Sequence, residues 1–102
     1  MKYNLWPKRT KGILSKTLDG ETVILKKDDW RCFLLNPTAS FIWRLSNGKN
    51  SIKNLSRALS IEYDIKGSVA QKDISVLLSH LKRQGLIDFV KKRAAQKCLF
   101  AE

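Results

Sequence analysis

The stretch WRCFLLNPTASFIW, residues 30–43, restricts the fold of this chain more than any other. A strand that buries one face alternates apolar and polar residues. Here Trp30, Cys32 and Leu34 point one way in an extended chain, and Arg31, Phe33 and Leu35 point the other, so neither side reads as a solvent face. The extended run then stops in a helix start. Asn36 is a good N-cap, and Pro37 suits the first helical position, where its missing N–H is not needed and its φ is already set. A short strand, roughly Trp30 to Leu34, thus runs straight into a helix, and something has to cover each of its faces.

The strand's neighbours are legible on both sides. ILSKTLDGETVILK reads as a hairpin, because Asp19-Gly20 supplies the pair of positive φ angles that a two-residue turn requires. Pairing Leu18 with Glu21 sets the register and puts Leu14 opposite Leu25. Leu18 and Val23 then share one side, and Ser15, Thr17 and Thr22 the other, which leaves one face of the hairpin apolar. After the strand, PTASFIWRL carries Phe41, Ile42 and Leu45 on one side of a helix that SNGK breaks. A second helix starts at Ser51, sets Ile52, Leu55 and Leu59 at helical spacing, and ends before Gly67. A third opens on a capping box, Ser68 with Gln71, and stops at Gly85, a left-handed C-terminal glycine. LIDFV extends briefly along the core. The fold class expected is α+β and winged-helix-like: a three-stranded antiparallel sheet followed by three helices on one of its faces. Residues 1–12 are an N-terminal extension, 13–90 the domain and 91–102 a basic tail.

At 102 residues the chain makes one modest core, and 43% hydrophobic residues with nine aromatics place it well away from disordered composition. No run is long and apolar enough to span a membrane, and MKYNLWPKRTKG lacks the apolar stretch of a secretory signal, so a cytoplasmic protein with free thiols is expected. Cys32 reads as a small buried apolar residue and Cys98 as tail. The net charge of +11 predicts attraction to something acidic. The cations are spread along the chain, as on any solvated surface, with one denser run at KKRAAQK.

The third helix buries Ile74, Leu77, Leu78 and Leu81 at i, i+3, i+4, i+7 spacing. Val76 falls off that stripe, on a second flank with Val69, Asp73, His80 and Arg83. A single exposed aliphatic is common and means little alone. Beside a strand with a free edge, it marks a second surface.

The order LDGETVIL, a turn, FLLNPTASFIWRLSNG, LSRALSIEYDI and VAQKDISVLLSHLKRQGLI resembles the PqqD-like family of peptide-binding RiPP recognition elements. The likeness covers residues 13 to 89. It is most specific at Leu35-Asn36 with Thr38-Ala39, at Ile42-Trp43, at Leu45 through Gly48, at Tyr63, and at Asp73 ahead of Leu77, Leu78, Leu81, Gly85 and Leu86. Asn47 stands where many relatives carry aspartate. The resemblance implies three antiparallel strands on three helices, and a non-catalytic peptide chaperone that binds the leader segment of a ribosomally made precursor. A modifying enzyme (radical SAM maturase, leader peptidase or cyclase) would then act on the core segment.

Strand addition is the physical mode that suits such a role. The leader would pair with the free edge of the third strand, Trp30, Arg31, Cys32, Phe33 and Leu34, and set alternate side chains against Val69, Asp73, Val76 and Leu77. Phe33 or Cys32 would supply apolar contact from the strand, and Arg31, Lys72, His80 and Arg83 would meet acidic leader residues at the margin. The alternative is a winged-helix DNA-binding protein that turns Gln71, Lys72, Ser75, Ser79, Lys82 and Arg83 to a major groove. Against it, the strands precede the helices, where the usual DNA-binding arrangement puts a hairpin wing after the recognition helix, and Asp73 and Val76 interrupt the basic face. An enzyme is not expected. His80 has no second histidine to share a metal, Asp28-Asp29 reads as a turn, and nucleophile, base and oxyanion donors form no array, so neither metal nor cofactor is expected.

Overall fold

The computed structural model describes residues 5–91. Its elements run β1 (Trp6–Arg9), β2 (Ile13–Leu18), β3 (Glu21–Lys26), β4 (Arg31–Leu35), α1 (Pro37–Leu45), α2 (Ile52–Tyr63), α3 (Gly67–Arg83) and β5 (Ile87–Val90). The expected α+β architecture is present, a three-stranded antiparallel sheet in the order β2-β3-β4 followed by three helices. Of the basic tail only Lys91 is among the described residues; the rest of that run and Cys98 lie outside them.

The hairpin forms in the expected register, with Leu18 opposite Glu21 and Leu14 opposite Leu25. Asp19 and Gly20 both take positive φ, 51° and 82°, the twist that a two-residue turn needs to follow its strands. β4 begins at Arg31 and not at Trp30, because Trp30 is itself left-handed (φ 60°) in the turn that enters the strand.

The two faces of the sheet are used in a way the hairpin pattern does not suggest. Paired residues share a face, so Ser15, Ile24 and Phe33 stand together, as do Thr17, Thr22 and Leu35, and this side meets the helices. Leu14, Leu18 and Val23, the apolar set of the hairpin, point away from the helices and are about half exposed or more. Ile24 and Leu35 supply the buried apolar groups of the inner face. Its hydroxyls are matched: Thr17 and Thr22 share a hydrogen bond of 2.7 Å, and Ser15 Oγ accepts from the indole N–H of Trp43 at 3.3 Å. Trp43 can therefore be almost fully buried without an unsatisfied donor. Cys32 faces outward with Leu14 and Leu25 and is exposed, which corrects the reading of it as buried.

Each helix is delimited locally. Asn36 Oδ1 accepts the Ala39 N–H at 2.8 Å and Ser51 Oγ the Asn54 N–H at 3.1 Å, as N-caps do. The capping box expected at Ser68 is absent. The N-cap of α3 is two residues earlier, at Lys66, whose carbonyl accepts from Ala70 at 2.9 Å, so Ser68 already lies inside the helix. Its C-terminus closes on Gly85 (φ 76°), with Leu86 N–H donating to Leu81 C=O and Gly85 N–H to Lys82 C=O, a Schellman stop with its apolar contact between Leu81 and Leu86.

Beyond that stop LIDFV forms β5, which pairs with β1, Trp6 opposite Val90 and Arg9 opposite Ile87. Part of the segment read as an N-terminal extension is therefore strand. It is tied down further by Gly48 N–H on Pro7 C=O and Ile52 N–H on Leu5 C=O. The WPKR run, with a proline and two cations, carries no strand pattern. The core beneath is built from Ile24, Ile42, Trp43, Ile52, Leu55, Leu59, Ile74, Leu78 and Ile87.

The inequality of the two faces is measurable. Ile24→Ala should cost about 2–5 kcal/mol in urea unfolding, as a large-to-small core change does. Leu14→Ser should stay within about 0.5 kcal/mol, as at a surface position. Equal losses would mean that the inner and outer faces are reversed.

Candidate functional site

Among the described residues β4 pairs with β3 alone, so half of its backbone N–H and C=O groups, between Arg31 and Leu35, face outward along a free edge. α3 runs beside that edge in the opposite direction. The Arg31 guanidinium donates to Gln84 Oε1 at 3.0 Å, which pins the start of β4 to the end of α3. The same guanidinium stacks 5.5 Å from the Phe33 ring and donates to Asp29 Oδ2 at 2.7 Å. Desolvation raises the Asp29 carboxyl, but hydrogen bonds from the Arg31 backbone and side chain, with the charges of Arg31 and Lys26, outweigh it and hold the group below its usual range.

Between strand and helix lies a trough made of two hollows that share Leu77. The larger, about 430 Å³, has Phe33, Leu35, Leu77, Leu81 and Leu86 as apolar lining, with His80 and Gln84 at its rim. The smaller, about 170 Å³, continues past the end of β4 to the first turn of α1, where Asn36, Thr38 and Asp73 flank Ile42, Ile74 and Leu77. The trough is thus apolar along its floor, cationic at the Arg31 end and acidic at the Asp73 end. An extended peptide laid on β4 could satisfy the open backbone groups and sink alternate side chains into it.

The residues expected at the site are only partly brought together. Phe33, Leu77 and His80 line the larger hollow and Asp73 the smaller. Cys32 and Leu34 border the larger hollow at the strand edge while the pleat turns them to the outer face of the sheet. Val69 and Val76 are half exposed on the flank of α3 beside the trough, outside both hollows. Lys72 and Arg83 are exposed and line neither hollow, and Trp30 stands in the preceding turn, 69% exposed. Arg31 closes one end through Gln84.

Leu35, Gln84, Leu86 and the Asn36–Thr38 corner belong to the site and were not expected there. Leu35 shares a pleat parity with Phe33, a signal present in the sequence, whereas Gln84 and Leu86 reach the trough only because the Schellman stop folds the chain back. Among the described residues no group of three or more His, Cys, Asp or Glu side chains is placed to hold a metal ion, and no helix is long and apolar enough to cross a membrane.

Comparison with known proteins adds a family and a fold. The model of the family described as coenzyme PQQ synthesis protein D (PqqD) matches residues 21–87, more than half of the chain. Among solved structures, TbiB1 in complex with the TbiA(beta) leader peptide is similar with a TM-score of 0.75 and 23% identity, over 79% of this chain and 94% of that one. A lasso peptide synthetase B1 complexed with the leader peptide is similar with a TM-score of 0.74 and 24% identity, over 81% of this chain and 98% of that one. At these identities the likeness is one of fold. No curated protein matches.

The difference between flank and floor of α3 gives a direct test. Val76→Asp should leave the thermal midpoint within a few degrees, while Leu78→Asp, which buries an unpaired charge, should prevent folding. Collapse of both on heating would place Val76 in the core and remove it from the site.

Proposed function

This chain belongs to the PqqD family, and we propose that it binds the leader segment of a ribosomally made precursor peptide as a fourth strand on β4 and presents the rest of the precursor to a modifying enzyme. The observation that carries this reading is the unpaired edge of β4 beside an apolar trough. Backbone pairing supplies affinity without regard to sequence, and the trough selects alternate side chains. The leader complexes formed by TbiB1 and by the lasso peptide synthetase B1, proteins of the same fold, support it.

The chain does no chemistry of its own in this scheme. Its task is to raise the local concentration of the precursor at the enzyme, a radical SAM maturase, a leader peptidase or a cyclase, in the cytoplasm. Arg31, His80 and the exposed Lys72 and Arg83 attract acidic leader residues, each pair contributing about 0.2–1 kcal/mol and mostly hastening encounter. Val76 and Val69 extend the apolar contact beyond the hollows.

The charge of +11 is the one observation that favours binding to DNA. α3 is a poor recognition helix, because Val69, Asp73 and Val76 occupy a flank that phosphates would require to be basic. Salt separates the two readings. Leader affinity should fall gently with salt, less than tenfold between about 50 and 200 mM, whereas neutralising several phosphates together loses roughly 10³–10⁵ over that range.

The test is a titration with a synthetic leader from the precursor gene beside its own. Amide shift changes should cluster in residues 31–35 and 69–84, and Val76→Asp should weaken binding about tenfold or more, 1.4 kcal/mol per factor of ten. Changes confined to the Asp19-Gly20 turn or to α2 would put the site elsewhere. Truncation after Lys91 should leave leader affinity unchanged and lower the residual affinity for DNA. Loss of leader binding on truncation, with specific DNA binding kept at physiological salt, would overturn the proposal.

A further inference from the structure

The outer face of the β2-β3-β4 sheet is apolar where a monomer is ordinarily polar. Leu14, Leu18, Val23 and Leu34 stand on it, each about half exposed or more. A hollow of about 310 Å³ opens among the first three of them. Contiguous exposed apolar surface of this kind marks a contact.

Charge decides what that contact is. Residues 13–35, which build the sheet, hold four cations (Lys16, Lys26, Lys27, Arg31) and four acids (Asp19, Glu21, Asp28, Asp29), so this unit is neutral. The rest of the chain holds sixteen Lys and Arg against five Asp and Glu and carries the whole +11. An acidic partner is drawn to the basic remainder. Among the described residues outside the sheet, twelve Lys and Arg stand against four Asp and Glu, so two copies of this chain repel one another less across the neutral sheet than across that remainder.

The charged side chains that the strands project from the outer face are Lys16, opposite Val23, and Glu21, opposite Leu18. Neither is in an ion pair among the described residues. In a two-fold contact residue i of one copy meets j of the other and j meets i. Lys16 and Glu21 are therefore self-complementary in sign, two pairs formed by one operation.

We propose that a second copy of this chain docks on the outer face of the sheet, giving a two-fold dimer that buries Leu14, Leu18 and Val23 and pairs Lys16 of each copy, which stands among them, with Glu21 of the other. The arrangement leaves the trough between β4 and α3 open, because that lies on the helix side. Three short strands present less than the roughly 800 Å² per partner of a standard interface, so the dimer is weak and forms at high protein concentration.

Sedimentation equilibrium of the full chain tests this, from tens of micromolar to about 1 mM. The mass should rise with concentration from the 11.7 kDa monomer towards a dimer. Association should strengthen as salt screens the repulsion between two +11 chains. Val23→Glu and Lys16→Glu should each return the mass to that of the monomer, and Lys16→Glu combined with Glu21→Lys should restore the dimer. Leader affinity, measured on the same variants, should not change, so this proposal and the leader reading fail separately. A monomer at every concentration, or a dimer indifferent to Val23→Glu and to the charge exchange, would overturn it.

Discussion

Among the described residues β4 has a hydrogen-bonded neighbour on one side only, and the rest of the candidate site follows from that. The chain contains another strand that could have closed the edge. β5 leaves α3 at Gly85, and the turn there aims it at β1, not at β4. Thr10 reinforces the choice, since its hydroxyl donates to the Gly85 carbonyl at 2.8 Å. With β5 committed to β1, the backbone of Arg31–Leu35 stays open, and α3 can flank it without satisfying it, because a helix has no backbone groups to spare along its side. An open edge is a hazard unless it is covered or used. Here it is short, ends at Pro37, and is sealed at its start by the Arg31–Gln84 contact, which limits both aggregation and the length of any guest.

The two faces of the sheet answer to different demands. The inner face holds the fold together with Ile24 and Leu35 and absorbs its hydroxyls by pairing them with one another and with the Trp43 indole. Both bonds are part-buried, with Thr22 and Trp43 as the buried partners, so losing the Thr17 or Ser15 hydroxyl takes a partner from a buried group. The outer face takes no part in the core. Leu14, Leu18 and Val23 stay about half exposed there or more, on the surface where the proposed second copy would dock.

Charge is partitioned along the same line. Residues 13–35 are neutral, whereas residues 36–90, which carry the helices, hold eight Lys and Arg against four Asp and Glu, so the helical part is the more basic of the two. In the proposed leader complex that charge would attract an acidic peptide, and backbone pairing and apolar burial would hold it in the trough. The two surfaces proposed on this small sheet would thus differ in the forces they use.

What the sequence determined by itself is local. The Asp19-Gly20 turn, the hairpin register, the Asn36-Pro37 and Ser51 helix starts and the Gly85 stop each rest on the backbone preferences of one or two residues, and each stands where the residues say. The order of strands and helices, and with it the fold class, follows from these signals in sequence. Tertiary structure alone decided the remainder. Which face of the hairpin turns inward could not be read, because Leu14, Leu18 and Val23 outweigh Ser15, Thr17 and Thr22 in hydropathy; of the polar set only Thr22 is buried, bonded to Thr17, while Ser15 and Thr17 stay exposed on the edge strand and Ser15 meets the Trp43 indole. Cys32 went outward with that choice, since a strand's pleat moves every residue of one parity together. β1 was invisible because a proline-bearing basic tetrapeptide becomes a strand only when β5, arriving from the far end of the chain, offers it a partner. The trough itself is a property of neither strand nor helix but of the gap between them, and gaps are set by packing, which no single stretch of residues specifies.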